Sequence, residues 1–157
     1  VEISNKSNGG AIRLKNGNQV AFPTETVYGL GVDAENEAAV ARIYEIKGRP
    51  SSHPVIVHIS SKELVFYWAT EFPNYANDLM NRFWPGPMTL LLKRTDKAKD
   101  FITGGQDVVG LRVPSNEIAQ SLLKEFEALG GHGVAAPSAN RFGSISPTSA
   151  SDVRDEL

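Results

Sequence analysis

Cysteine is absent from the 157-residue chain. That excludes disulfide scaffolds, thiolate nucleophiles and cysteine-ligated zinc or iron–sulfur centres. Histidine is scarce, with three copies at His53, His58 and His132 and no HExxH pair, so a metal held mainly by imidazoles is not expected. An excess of either charge is lacking too: 16 Lys+Arg against 18 Asp+Glu leave a formal charge of −2. A strongly basic nucleic-acid wrapper is therefore disfavoured, although a local basic patch is compatible with that balance. No apolar run approaches the roughly 18 residues that a membrane helix needs. The opening Val1-Glu2-Ile3-Ser4-Asn5 has no basic stretch followed by an apolar one, as a secretion signal would. A cytoplasmic protein without membrane attachment is expected, and the missing initiator Met suggests a piece trimmed from a longer chain.

What is present reads as one folded domain. Hydrophobic residues at 41% and charged residues at 22% give enough apolar surface for a core rather than a disordered chain. No internal repeat, low-complexity tract or long linker divides the sequence. Ala11, Ile12 and Leu14 predict a short helix stopped by Gly17, and Val20-Ala21-Phe22 a short strand. A helix opens at Asn36-Glu37, carries Val40, Ile43 and Lys47 at helical spacing, and ends at Gly48 and Pro50. Val55–Ile59 is β-branched and reads as a buried strand. Ser60 with Glu63 has capping-box spacing for a further helix. Asn74 to Phe83 predicts a helix closed by the Trp84-Pro85-Gly86-Pro87 turn, with strands over Met88 to Lys93 and Val108 to Val113. Asn116 caps a helix striped by Ile118, Leu122, Leu123, Phe126 and Leu129, which ends at Gly130-Gly131. Val134 to Ala136 is the last strand, before a polar loop and a terminal helix. The alternation predicts a layered α/β domain around a mostly buried sheet, with the strand order left open.

Four polar clusters lie at predicted strand or helix ends, where open α/β sheets place ligands. Pro23-Thr24-Glu25-Thr26-Val27-Tyr28-Gly29-Leu30 packs two hydroxyls, a carboxylate and a phenol together, which by itself fits helix capping as well as ligand contact. Lys47-Gly48-Arg49-Pro50, followed by His53, presents an ammonium and a guanidinium from one corner, suited to polyphosphate or simply to a helix C-terminus. Arg112, in Gly110-Leu111-Arg112-Val113-Pro114, is costly inside an apolar strand unless it reaches an edge or binds an anion. Ala135-Ala136-Pro137-Ser138-Ala139-Asn140, continuing to Ser144-Ile145-Ser146-Pro147-Thr148, offers close backbone approach and short neutral hydrogen bonds, or only a turn-rich loop. Walker A, GxGxxG and GxSxG patterns are missing, and no Ser-His-Asp constellation is evident. Cations and hydroxyls without a nucleophile fit anionic substrates held for reaction with each other.

In combination, PTETVYGLG, KGRP with a following HP, WPGPMTLLL, GLRVP, and APSAN with SPT resemble the YrdC-like family of L-threonylcarbamoyladenylate synthases. The motifs stand in the family's order from Phe22 to Thr148. The resemblance implies a twisted, open, mixed α/β sheet with flanking helices and a central cavity. It also implies a nucleotidyltransferase that forms threonylcarbamoyl-AMP and pyrophosphate from L-threonine, bicarbonate and ATP, with Mg²⁺ accompanying the ATP. tRNA and threonylcarbamoyl-transfer proteins would be downstream partners, in threonylcarbamoyladenosine modification. Residue by residue, it implies that Lys47, Arg49, His53, Ser138, Asn140 and Ser146 serve ATP, with Lys47 and Arg49 neutralising charge during catalysis. Thr26, His58, Arg112 and Ala136 would serve L-threonine. Val108 stands where many members carry a Thr near the nucleotide, so only its backbone could act there. Members usually continue into a Ser-Thr-Ile/Val segment that helps close the site; residues 1–157 are expected as a single YrdC-like domain without it. Two alternatives stay in view: a non-catalytic RNA-binding or translation-associated module, and a carbamoyl-adenylating domain with another acceptor.

Overall fold

Short apolar runs build a seven-stranded sheet in the computed structural model, which describes residues 2–3, 7–50, 52–140 and 146–156. In chain order the elements begin with β1 (Glu2–Ile3), α1 (Ser7–Lys15), β2 (Val20–Phe22), β3 (Gly29–Asp33), α2 (Glu37–Lys47) and β4 (Val57–His58). A 3₁₀ turn (Lys62–Leu64), α3 (Val65–Trp68), α4 (Asn74–Phe83), β5 (Leu90–Lys93) and α5 (Asp100–Thr103) follow. β6 (Val108–Arg112), α6 (Glu117–Ala128), β7 (Val134–Ala135) and α7 (Ala150–Glu156) complete the fold. The strand order is β1-β2-β3-β7-β4-β6-β5. The sheet is mixed: β1–β2 and β4–β6 are parallel, and the other neighbouring pairs are antiparallel. No helix among the described residues is long and apolar enough to cross a membrane.

Strand alternation divides the core into two layers. Val20, Phe22, Val134 and Ala136 point to one face and pack with Ala11 and Leu14 of α1 and Ala119, Leu122, Leu123 and Phe126 of α6. Ala21, Leu30, Val32, Val57, Leu111 and Ala135 point the other way, into a larger core with Val40, Ile43, Trp68 and Ile102. His58 follows Val57, and Arg112 follows Leu111, so both side chains belong to the first face. There, over β4, β6 and β5, apolar cover runs out, leaving Ile56 36% and Leu91 68% exposed.

Caps account for the helices that the sequence locates well. Asn36 Oδ1 accepts the Ala39 N–H at 3.0 Å, and Gly48 ends α2 in the left-handed conformation at φ 67°. Asn116 Oδ1 accepts the Ile118 and Ala119 N–H groups at the start of α6. Only the middle of that helix's apolar stripe is buried, since Ile118 is half-buried and Leu129 is 42% exposed.

Several expectations are corrected. The Ser60–Glu63 capping box does not form, because the Ser60 hydroxyl donates to Glu127 and Ser61 leads into the 3₁₀ turn. The strand expected over Val55–Ile59 pairs as a ladder only at Val57–His58, and β5 starts at Leu90 because Trp84 Nε1 takes the Met88 carbonyl at 2.7 Å. Thr24 and Thr26 cap no helix, since β3 follows them. That strand is hidden in the sequence by Gly29 and Gly31, which are weak strand formers. Gly31 is a steric necessity: a Cβ there would lie 2.6 Å from Val134 Cγ1 and 2.7 Å from Phe22 Cε1, whereas one on Gly29 would meet nothing closer than 3.4 Å. β1 and α5 carry too little periodicity to be read, and Ser144 and Ile145 of the fourth cluster lie outside the described residues.

Gly31→Ala should therefore force Phe22 and Val134 apart and lower stability by about 1–3 kcal/mol, the usual scale for overpacking. Urea denaturation of the two proteins checks it; equal midpoints would show that the layer accommodates a methyl group.

Candidate functional site

A cavity of about 290 Å³ opens where the first face loses its helical cover. Thr24 and Thr26 line it from the loop after β2, Gly29 from the start of β3, Arg49 and Pro54 from the loop after α2, and His58 and Arg112 from the ends of β4 and β6. Ala136, Pro137 and Ser138 complete it from the end of β7. Of the sequence-predicted site residues, Thr26, Arg49, His58, Arg112, Ala136 and Ser138 thus share one wall.

The loop after β2 is held by its own hydroxyls and by the chain beyond β7. Thr24 Oγ1 donates to the Val27 carbonyl at 2.6 Å and lies 3.0 Å from Thr26 Oγ1. Leu30 N–H bonds Pro137 O at 2.9 Å, Ala139 N–H bonds Tyr28 O at 2.8 Å, and Tyr28 N–H bonds Pro147 O at 2.9 Å. Ser146 is placed next to this loop by that last bond, outside the cavity lining.

Lys47 lies behind the lining rather than in it. Its side chain leaves the last turn of α2, is only 3% exposed, and donates to Ser138 O at 2.5 Å and to Asn140 O. Ser138 Oγ donates to Asn140 Oδ1 at 2.5 Å. Lys47, Ser138 and Asn140 are thus brought together as the sequence predicts, but the ammonium shapes the loop from within. Arg49 is the cation that faces the cavity: Nη2 donates to Pro54 O at 2.6 Å, while Nε is buried without a partner. Burial lowers its pKa, since removing water disfavours the charged form. The His53 carbonyl accepts the Tyr44 hydroxyl, and His53 does not line the cavity. Val108 begins β6 opposite Lys93, about 13 Å from Arg112 at strand rise, and is likewise outside the lining.

Deeper in the wall, His58 packs edge-on to Phe22, with ring centroids 6.0 Å apart. Burial pushes its imidazole down to about 4, an effect that the carbonyls of Ile56 and Val134 only partly oppose. His58 is therefore a neutral group at physiological pH, and its Nδ1 has no partner in hydrogen-bonding geometry. Beside it, Arg112 Nε donates to Gly86 O at 3.2 Å and Nη2 pairs with Glu25. Desolvation lowers the Arg112 pKa as well. Glu25 is the residue that sequence reasoning passes over. The cost of a buried arginine calls for an acceptor, but nothing local in the sequence says that it comes from the loop after β2.

A larger, shallower cleft of about 780 Å³ lies elsewhere, lined by Glu35, Glu37, Arg94, Asp96, Lys99 and Asp100 among others. It contains none of the predicted site residues, and its Arg94 is already paired with Asp100 at 2.8 Å. Among the described residues no three His, Asp or Glu side chains converge to hold a metal ion.

The Sua5/YciO/YrdC family model, described as "Telomere recombination", matches residues 13–157. The chain is 49% identical over 144 residues to a threonylcarbamoyl-AMP synthase of Pyrococcus abyssi, covering 92% of this chain and 41% of that protein. It is 45% identical over 148 residues to the Bacillus subtilis threonylcarbamoyl-AMP synthase, covering 94% and 42%. The crystal structure of P. abyssi Sua5 complexed with L-threonine superposes with a TM-score of 0.93 at 44% identity, over 99% of this chain and 47% of that one. The chain thus spans about two fifths of the length of these curated relatives.

Two buried groups make testable demands. Lys47→Met leaves the Ser138 and Asn140 carbonyls without their ammonium donor, and urea denaturation should register a loss of about 1–3 kcal/mol. Unchanged stability would mean that the loop is held by its other bonds alone. For His58 the folded pKa lies below the unfolded value of 6.5, so the unfolded chain binds the extra proton first. Its contribution is intact above pH 6.5 and is lost as pH falls towards 4, by about 3 kcal/mol in all. Denaturation at pH 7 and pH 4.5 should show the stability advantage of wild type over His58→Asn shrinking in acid; a constant difference would contradict neutral burial.

Proposed function

The chain belongs to the Sua5/YciO/YrdC family, and from that premise we propose that it acts as an L-threonylcarbamoyladenylate synthase. The reaction joins L-threonine, bicarbonate and ATP into threonylcarbamoyl-AMP with release of pyrophosphate. The observation that carries this reading is one cavity faced by two guanidiniums, Arg49 and Arg112, a neutral imidazole and small hydroxyls. Among the described residues no side chain lining the cavity is arranged as a nucleophile with its base. Such a site suits two anionic substrates that react with each other while the protein holds them.

In this reading Arg112 takes the threonine carboxylate, with Thr26, His58 and the backbone of Ala136 around the rest of the amino acid. A neutral His58 can accept or donate a hydrogen bond without repelling the substrate's ammonium group, as an imidazolium would. Once the ammonium has given a proton to solvent, the amine and bicarbonate give a carbamate and water. A carbamate oxygen then attacks the α-phosphorus of ATP as the bond to pyrophosphate breaks. Arg49 offsets the charge that develops on the leaving group. Lys47 contributes through the Ser138–Asn140 loop that it holds, and the nucleotide side extends to His53, Val108 and Ser146. The uncovered sheet face around Ile56, Gly110 and Leu91 leaves room for a nucleotide next to the cavity. Mg²⁺ is taken as part of the nucleotide substrate, carried on its phosphates. Cytoplasmic transfer of the threonylcarbamoyl group to tRNA, with partner proteins, would follow.

Pyrophosphate release measured with ATP, L-threonine and bicarbonate, each omitted in turn, tests the proposal. Release should require all three, with threonylcarbamoyl-AMP seen by mass spectrometry. Release that does not need threonine would place the chain with carbamoyl-adenylating enzymes; RNA retention with no release would favour a binding module.

A further inference from the structure

Glu25 takes no part in the chemistry above, yet both of its carboxylate oxygens are engaged. Oε1 pairs with Arg112 Nη2, and Oε2 accepts the Ser115 backbone N–H and the Ser115 hydroxyl. The two charged side chains are largely covered, at 10% exposure for Arg112 and 20% for Glu25. On its other side Arg112 Nε is held by the carbonyl of Gly86, in the Trp84–Pro87 turn. Three loops, after β2, after α4 and after β6, therefore meet at one guanidinium.

This arrangement restricts how Arg112 can meet a ligand. A guanidinium offers a carboxylate a two-point edge through Nε and Nη2, or through Nη1 and Nη2. Gly86 accepts from Nε and the Glu25 carboxylate lies against Nη2 as an ion pair without hydrogen-bond geometry, so that edge is covered, while Nη1 has no acceptor among the described residues. We propose that Glu25 is a positioning residue for substrate-carboxylate recognition: clamped by Ser115, it fixes Arg112 so that its Nη1 side is turned to the cavity. The assignment rests on Arg112 being the carboxylate site of the proposed function. The rival role, in which Glu25 merely fills the substrate's place and swings away, is disfavoured by Ser115. Its two donors hold Oε2 independently of Arg112, so the carboxylate stays when a ligand arrives.

The geometry also explains why a carboxylate beside the anion site need not defeat it. Glu25 offsets part of the desolvation cost of Arg112, which would otherwise be a buried, singly bonded cation. The ligand is then selected by the direction of the remaining N–H groups rather than by unmatched charge. An immobilised fork loses little rotamer freedom on binding, whereas an unclamped arginine has to be ordered by the ligand itself.

The test uses Glu25→Ala, the near-isosteric Glu25→Gln, and Ser115→Ala, which removes one of the two Ser115 donors. Two measurements apply to each protein. In ¹H–¹⁵N spectra, the Arg112 Nε–H should be resolved and slow to exchange in wild type. In Glu25→Ala it should exchange roughly tenfold faster, as expected when a structural hydrogen-bonded unit is released. In calorimetric titrations, L-threonine affinity should fall roughly tenfold in Glu25→Ala and about two- to threefold in Ser115→Ala, while ATP affinity changes less than about twofold. Glu25→Gln should lie between wild type and Glu25→Ala. Equal weakening for both ligands would reduce Glu25 to a loop prop and overturn the proposal. Tighter threonine binding in Glu25→Gln would overturn it in favour of the competing-carboxylate role. If wild type binds no threonine, the synthase reading fails by itself, and the Arg112 signal alone then decides whether Glu25 positions that side chain.

Discussion

The insertion of β7 between β3 and β4 is the constraint on which the site depends. Ala135 pairs with Val32 on one side and Val57 on the other, so a two-residue strand late in the chain completes the centre of the sheet. Backbone groups in the middle of a sheet have no access to water, and their bonds must be met by the neighbouring strands. With the register set, Ala136 N–H reaches the Ile56 carbonyl and Leu30 N–H reaches that of Pro137. The loop through Ser138 and Asn140 is thereby brought against the loop after β2 and over the C-terminus of α2, where Lys47 binds it. The cavity is a by-product of this crossing, because the loops that leave adjacent strand ends cannot fill the space between them.

Charge is then handled differently at each cation. Lys47 is enclosed by backbone carbonyls and acts as a structural tether. Arg112 is held from two sides and keeps one nitrogen for a ligand. Arg49 donates to the Pro54 carbonyl and has a buried Nε without a hydrogen-bond partner, which leaves it with capacity for an anion. Burial keeps His58 neutral between them, so the wall does not accumulate a third positive charge. The same loss of water that imposes these demands also strengthens any ion pair that a substrate makes there.

The uneven cover of the sheet places this chemistry at an accessible boundary. α1 and α6 pack over β2 and β7, but the same face is open over Gly110, Ile56 and Leu91. Gly110 lacks a side chain, and a Cβ there would already touch Leu91, Thr89 and Ile56 at 3.4–3.5 Å. In the proposed function, this apolar face next to two guanidiniums would offer a nucleotide stacking and phosphate contacts in one place.

Local interactions made much of the molecule readable from its sequence. α2, α4 and α6 follow from apolar spacing, and Asn36, Asn116 and Gly48 mark ends because capping is a contact between near neighbours. Arg112 announces itself as costly, and the order of short motifs points to the family before any coordinates exist. What escaped the sequence depends on distant partners. Gly31 looks like a breaker until Phe22 and Val134 are seen to need its space. Ser60 has the spacing of a cap but finds Glu127 across the fold. Lys47 has the look of a phosphate ligand, yet carbonyls far along the chain surround its ammonium. By itself, then, the sequence determined the capped helices, the family and the chemical inventory, because those depend on composition and near-neighbour spacing. Only the tertiary structure decided which cation is buried, which faces the cavity, and that Glu25 meets Arg112, because the pairing of charges across a fold is settled by strand order and burial, which no local pattern encodes.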